Sequence, residues 1–531
     1  MNFFAKARIL DGTRPASRAG CPRRRRGGTM KTSHPDRQDP TSRGRRGFIK
    51  RAGAGIAAAT LPLPGGHARA APAGASPETA GEGPMAHWTS TSPALTRAFA
   101  PVFDERDDGD LPVQGEIPAG LSGVFMRNGP NPAFEPAAHY AYPFDGTGMV
   151  HAIYLDGGRA RYRNRWVATK ELTEERAAGH RIYNTSFGPP PHANLANTNI
   201  VHHAGRYLAL YEGGAPYEMD RELATVGAFD YGGALPRFMS AHPKADPQTG
   251  ELLSVEYDLH TSMMRYLRAD RSGQLDRRVA FSSPWPAIVH DVAITERYVV
   301  AVVAPLVFDM SGKGPPAQWE PDRGTRIALI PRDAVDSKDI KWVPGPPFFN
   351  WHTVNAYEEG GRIELVVPWY DAFSLTAPSK RLELHRLTID VDSKQVDDRA
   401  LDDQACEFGR INDACVGRRA RYGYVGLRAA YPAHPPQIGA FEAFARYDLD
   451  TGEKVVHRFP PGQTVCEPVF VADPAGGGEA DGYILSFVHV EGDERGHFVI
   501  LDARNLAAEP VATVMLPRRV PAGLHGSWTP V

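Results

Sequence analysis

Four histidines stand in short, distinctive phrases. They are His242 in Ala-His-Pro-Lys-Ala-Asp-Pro, His290 in Ile-Val-His-Asp-Val-Ala-Ile, His352 in Asn-Trp-His-Thr-Val-Asn and His525 in Gly-Leu-His-Gly-Ser-Trp. Converging imidazoles without cysteine or carboxylate would make an all-nitrogen metal site, suited to iron, copper, zinc or nickel. The chain holds 19 histidines, so residue type alone selects none of them. The gaps between the four are 48, 62 and 173 residues, too long for one helix or hairpin to bring them together. A repeated architecture contributing one histidine per repeat could do so.

The rest of the chain reads as such an architecture. With 53 glycines and 47 prolines it is rich in turns. Short runs of Val, Ile, Tyr and Phe recur, among them Met149–Leu155, Ala160–Val167, Arg206–Tyr211, Tyr298–Val303, Ile363–Val367, Tyr483–Val488 and His497–Leu501. Helical periodicity is scarce. A turn phrase repeats between strand-like runs, beginning at Asp246, Asp270, Asp392 and Asp450. An Asp side chain can close such a turn on the backbone, and Gly supplies positive φ. Many strands without helical crossovers predict an all-β fold, a β-propeller whose distant blades can each send one histidine to a central axis. A pair of β-sandwiches is the alternative.

Composition excludes some functions. The formal net charge is −2, and no basic patch calls for nucleic acid. Four cysteines without C-x-x-C spacing argue against a disulfide framework or a thiolate zinc site. A Cys406–Cys415 or Cys406–Cys466 bridge and buried free thiols are both open readings.

Residues 1–70 read as a leader. Arg45-Arg46-Gly47-Phe48-Ile49-Lys50 is followed by a weakly apolar run from Ala52 to Pro64 and by Ala68-Arg69-Ala70, a small-x-small cleavage pattern. This resembles a twin-arginine (Tat) export signal and implies the Tat export machinery as a partner and a periplasmic location. Met30 is a candidate start. The run is shorter than the roughly 20 residues of a membrane span. Residues 71–102 read as a linker, and 103–531 as a single catalytic domain.

From about Phe103 onward the chain resembles the carotenoid cleavage oxygenase family, which includes lignostilbene oxygenases and the retinoid isomerase. The resemblance rests on Gly-Val-Phe-Met-Arg-Asn-Gly-Pro-Asn-Pro from Gly123, Phe-Asp-Gly-Thr-Gly-Met-Val-His from Phe144, Ala196-Asn197-Thr198-Asn199, the four histidine phrases in order, and the closing His525-Gly526-Ser527-Trp528. It implies a seven-bladed propeller with a cap of loops and short helices over the active-site face. It implies Fe(2+) on the axis, held by His242, His290, His352 and His525. Three glutamates that hydrogen-bond ligand histidines map to Glu212, Glu407 and Glu467. A ring N–H held by a carboxylate fixes tautomer and orientation and raises ligand basicity. Thr198 matches a small side chain beside a vacant coordination position. Arg127 and Asp145 are read as structural, and His151, His202 and His203 as non-ligands. Trp351, Phe349 and Trp528 are expected to line an apolar tunnel or pack in the core. Leu306-Val307-Phe308 is the expected apolar rim at its mouth, where a peripheral membrane contact is left open.

The implied reaction is O₂-dependent cleavage of a C=C bond in a small apolar conjugated alkene, a carotenoid or apocarotenoid, giving two carbonyl products. No nucleotide or flavin fingerprint points to a separate reductant. Three rivals are a lignostilbene-type phenolic alkene dioxygenase, an isomerase on the same scaffold, and a metal-free periplasmic propeller binding module. For the first, a lysine is expected just before the Ala-Asn-Thr phrase, and Pro191 to Ala196 contains none.

Overall fold

The computed structural model describes residue 92 and residues 95–531, apart from 137–144, 185–189, 312, 314, 374–378 and 429–438. The leader, with Met30, Arg45, Arg46 and Ala70, lies outside the described residues, as does Phe144.

Seven antiparallel sheets form the blades of a propeller. Blade 2 begins with Asn199–His203, blade 3 with Lys244–Ala245, blade 4 with Val292–Ile294, blade 5 with Asn355–Glu359 and blade 6 with Cys406–Arg410. Blade 7 is centred on Gly482–Val490, which pairs with Val469–Ala472 on its inner side. Blade 1 closes the ring. Its inner strand is C-terminal, Gly526–Pro530, paired with Gly123–Pro130 in the register Arg127↔Gly526 and Phe125↔Trp528. The N-terminal strand Val113–Gly115 is stitched to Ala512–Met515 at the outside of blade 7. Two of the phrases that carry the resemblance are therefore strand partners. Glycine is required where they meet, since a Cβ on Gly129 would lie 2.7 Å from the Gly523 Cα.

Each blade is covered on both faces by its neighbours, so its middle strands are buried throughout. Every residue of Leu252–Tyr257 and Tyr298–Val303 is buried. An outer strand such as Leu275–Ser282 alternates, because one face meets water. The core is thus a ring of clusters between blades, for example Val255, Tyr266, Val299 and Ile330 between blades 3 and 4. A two-stranded hairpin, Leu306–Phe308 with Ala317–Trp319, projects from blade 4. Among the described residues one α-helix, Lys170–Ala178, is capped by the Thr169 side chain at its start and ends at Gly179 with φ of 74°.

The repeated turns follow one scheme with a shifted origin in two of them. The Asp246 carboxylate accepts from Gln248 N and Thr249 N, and Gly250 is left-handed at φ 75°. In the later phrases the capping residues are Asp390 and Asp448 rather than Asp392 and Asp450. Lys394 then takes the left-handed place that Gly452 holds in the last turn. Two aspartates two residues apart look alike in sequence, and strand register decides which one caps.

Candidate metal centre

Each blade sends the residue just before or at the start of its inner strand towards the axis. His242, His290 and His352 precede the inner strands of blades 3, 4 and 5, and His525 precedes that of blade 1. The long gap between His352 and His525 holds blades 6 and 7, whose corresponding positions are Glu407 and Glu467. Blade 2 offers Thr198 there. Glu212 arrives differently, just past the strand Arg206–Leu210.

The four histidines each offer one ring nitrogen, and these atoms all lie within 4.8 Å of one another. Ring centroids are 4.4 Å apart for His242 and His290 and 4.7 Å for His352 and His525. His352 Nδ1 donates to Glu407 Oε2 at 2.6 Å, and His525 Nδ1 donates to Glu467 Oε1 at 3.0 Å. A carboxylate only accepts, so Nδ1 carries the hydrogen and Nε2 keeps its lone pair for the centre. His290 Nδ1 lies 2.6 Å from Glu212 Oε1 but without the alignment of a hydrogen bond. Nε2 of His242 and of His352 are buried without a hydrogen-bond partner. Orphaned buried nitrogens are costly, and a metal ion would satisfy them. The donor set therefore fits a divalent ion, with the three carboxylates offsetting its charge.

Electrostatics favour neutral rings at His242 and His525, whereas at His290 burial is outweighed by the neighbouring Glu212, which raises the ring above the usual imidazole value. Burial, reinforced by the neighbouring histidines, holds His242 well below the usual imidazole range. Burial takes His525 down to about 4 against the pull of Glu467. Burial alone would raise Glu467, but Arg410, His525 and the Gly526 N–H hold it down at about 2.

Residues that sequence reading did not single out complete the centre. The Tyr257 hydroxyl donates to Glu212 Oε2 at 2.5 Å, and the Tyr370 hydroxyl to Glu407 Oε1 at 2.6 Å. Arg410 Nη1 is 3.5 Å from Glu467 Oε1. Phe408, at φ 55° beside a break in strand register, lays its ring 4.6 Å from His525 and 5.1 Å from His352. Asn128 exchanges backbone bonds with the His525 segment and donates its side chain to the Ala196 and Asn199 carbonyls. Asn128 lies inside a phrase already conspicuous in the sequence, and Arg410 stands three residues past Glu407. The two tyrosines sit in ordinary strands and carry no sequence signal.

A cavity of about 420 Å³ opens onto the centre. Ile288, Leu306, Phe308, Trp351, Phe373 and Leu524 line it, with Thr198 near the histidines. The Trp351 ring meets His290 edge-on at 5.0 Å, and Phe349 packs behind Trp351. Trp528 follows the core-packing reading, set against the cluster that holds Phe125 and Phe487. It also borders a second cavity, together with its strand neighbours Gly526, Ser527 and Thr529. Leu306 and Phe308 are 2 % and 8 % exposed, so they form an inner wall rather than a rim.

His151 is hydrogen-bonded to the Tyr162 hydroxyl at 2.8 Å, and His203 Nε2 to the Gly250 carbonyl at 2.9 Å. His202 is exposed. Arg127 is buried over the Phe487 ring, and Asp145 is fully buried; neither lines the two cavities at the centre. Cys406, Cys415 and Cys466 are free thiols, and burial pushes Cys415 up to about 11. Among the described residues no helix is long and apolar enough to cross a membrane.

Residues 99–530 match the family described as retinal pigment epithelial membrane protein. The chain is 34% identical over 460 residues to apocarotenoid-15,15'-oxygenase of Synechocystis sp., covering 78% of this chain and 92% of that protein. It is 32% identical over 478 residues to isoeugenol monooxygenase of Pseudomonas nitroreducens, covering 84% and 100%. The solved structure of Pseudomonas brassicacearum lignostilbene dioxygenase superposes with a TM-score of 0.78 at 31% identity, covering 83% of this chain and 99% of that one. Propeller, histidine cluster and these likenesses agree, and the chain belongs to the carotenoid cleavage oxygenase family of metal-dependent enzymes.

Proposed function

We propose that this enzyme uses Fe(2+) and O₂ to cleave one C=C bond of a carotenoid or apocarotenoid, giving two carbonyl products. The observation that carries the reading is the apolar cavity ending at the histidines, with a volume suited to burying a slender alkene. His242, His290, His352 and His525 would hold the metal, and Glu212, Glu407 and Glu467 would keep the ring hydrogens on Nδ1. Bound iron supplies O₂ activation. Leu306, Phe308, Trp351 and Phe373 exclude water and hold one double bond near the centre. Thr198 narrows the space beside the metal. No side-chain proton transfer is needed, which agrees with burial holding His242 and His525 low and with ionised Glu407 and Glu467.

A phenolic alkene is the second reading. Tyr211, Arg237 and His260 also line the cavity and could meet a phenol, and two of the relatives are named for phenolic alkenes. Against it, no lysine stands among the described lining residues to stabilise a phenolate.

The test is anaerobic Fe(2+) reconstitution, then O₂ with a carotenoid, an apocarotenal or a hydroxystilbene. Mass analysis of products should show two aldehydes from the polyene, both carrying label from isotopic O₂ after short incubation. Cleavage of the stilbene alone would select the second reading, and an unbroken chain without O₂ uptake would select isomerisation. For the leader, we propose Tat export to the periplasm, driven by Arg45 and Arg46. Changing both to Lys should hold the precursor in the cytoplasm.

A further inference from the structure

The histidine centre lies between two cavities of different character, one mainly apolar and one with polar and apolar lining in similar measure. The apolar one is bounded by His290, His352 and His525. The other, of about 310 Å³, is bounded by His242, His352 and His525 and runs between the inner strands of the blades. His242 thus faces the second cavity and His290 the first. The outer part of the second cavity is formed by His202, Ala245, Pro247, Asp413 and Pro530, all exposed, so it opens to water.

Its inner wall is charged. Lys244 Nζ lies 2.8 Å from Asp291 Oδ1, and Arg410 Nη1 3.5 Å from Glu467 Oε1. Asp291 is anchored, since its Oδ2 accepts from the Thr353 N–H at 2.8 Å and hydroxyl at 2.9 Å. Lys244 is a quarter exposed on a flexible stem and is the partner free to swing away.

We propose that this polar axial cavity is the route by which a hydrated divalent metal ion reaches and leaves the centre, with Lys244–Asp291 as its gate and His242 as the first ligand met. The proposal rests on the metal reading above. An aquo ion keeps its hydration shell until ligands replace it. Moving it through a passage lined by Leu306, Phe308 and Trp351 carries the desolvation cost of an unpaired charge. The polar cavity presents Asp413 at its mouth and Asp291 and Glu467 within, oxygens that can replace waters stepwise. The buried, unpartnered Nε2 of His242 belongs to the ligand that lines this side alone. Metal and alkene therefore use opposite faces, and an occupied substrate cavity does not trap or exclude the ion.

The test blocks one face at a time in folded protein. Ala245→Cys sits at the exposed mouth of the polar cavity, and Met310→Cys on the exposed side of the apolar one. Each is freed of metal and measured before and after reaction with a bulky maleimide, with wild type treated alike to account for the native thiols. Cobalt(II) uptake is read by its visible absorption, and release by capture with a chelator. Labelling at position 245 should slow both by about tenfold or more, an added barrier near 1.4 kcal/mol, at unchanged final stoichiometry. Labelling at position 310 should leave both within about twofold of the unlabelled rate. Slowing at 310 instead, at both positions or at neither overturns the route. Failure of the unlabelled proteins to bind cobalt at all would instead remove the metal reading beneath it.

Discussion

The Tyr370 hydroxyl donates to Glu407 at 2.6 Å, and the other oxygen of that carboxylate holds His352 at 2.6 Å. Tyr257 likewise donates to Glu212 on the same apolar side, with the other oxygen of Glu212 2.6 Å from His290 Nδ1 but not aligned for a hydrogen bond, whereas Glu467 is steadied by Arg410 from the polar side. The tyrosine supplies an oxygen-bound hydrogen without a charge, which suits a carboxylate beside an apolar cavity. Tyr370→Phe should therefore weaken metal retention about tenfold, the low end for loss of a supporting hydrogen bond around a metal ligand. Metal per chain after equilibration with graded chelator checks this. Retention equal to wild type would show that the hydroxyl does not steady Glu407.

Replacing a histidine should act more severely. His290→Ala or His352→Ala removes one of four converging nitrogens and strands a carboxylate, and should abolish activity and most bound metal. Elemental analysis alongside turnover reads both. Full activity in either variant would sink the ligand assignment.

Asn128 ties the His525 segment to blade 2 through the Ala196 and Asn199 carbonyls at 2.8 and 3.0 Å. Asn128→Ala leaves both acceptors buried without that donor. A loss of about 1–3 kcal/mol in unfolding free energy is expected, read from the denaturant midpoint at unchanged slope. An unaltered midpoint would mean that water replaces the amide without cost.

His385 gives a pH signature away from the centre. Burial would lower it, but Asp398 at 2.6 Å and Glu383 at 2.9 Å raise it above the usual imidazole value. A raised folded value means the folded state binds the proton more tightly. The stabilisation is full below the unfolded value of about 6.5 and fades as pH rises through the folded one. The melting-temperature advantage of wild type over His385→Gln should thus be larger at about pH 6 than at about pH 9. A constant advantage would place the pairing in neutral hydrogen bonds alone.

The sequence by itself determined what short-range chemistry can encode. Strand runs, Asp-closed turns, the histidine phrases and the family resemblance are local patterns, so they were legible without coordinates. The candidate residues were legible too, because all but Glu212 sit where a blade's inner strand begins. Tertiary structure decided which side of the axis each residue faces. Trp528 and Trp351 both stand near a ligand histidine in sequence, yet one borders the second cavity and the other the apolar one. Leu306 and Phe308 read as a rim until the hairpin folds them inward. Tyr257, Tyr370 and Arg410 acquire their partners across 45, 37 and 57 residues of chain. Contacts at that range depend on blade packing and ring closure, which no local pattern specifies.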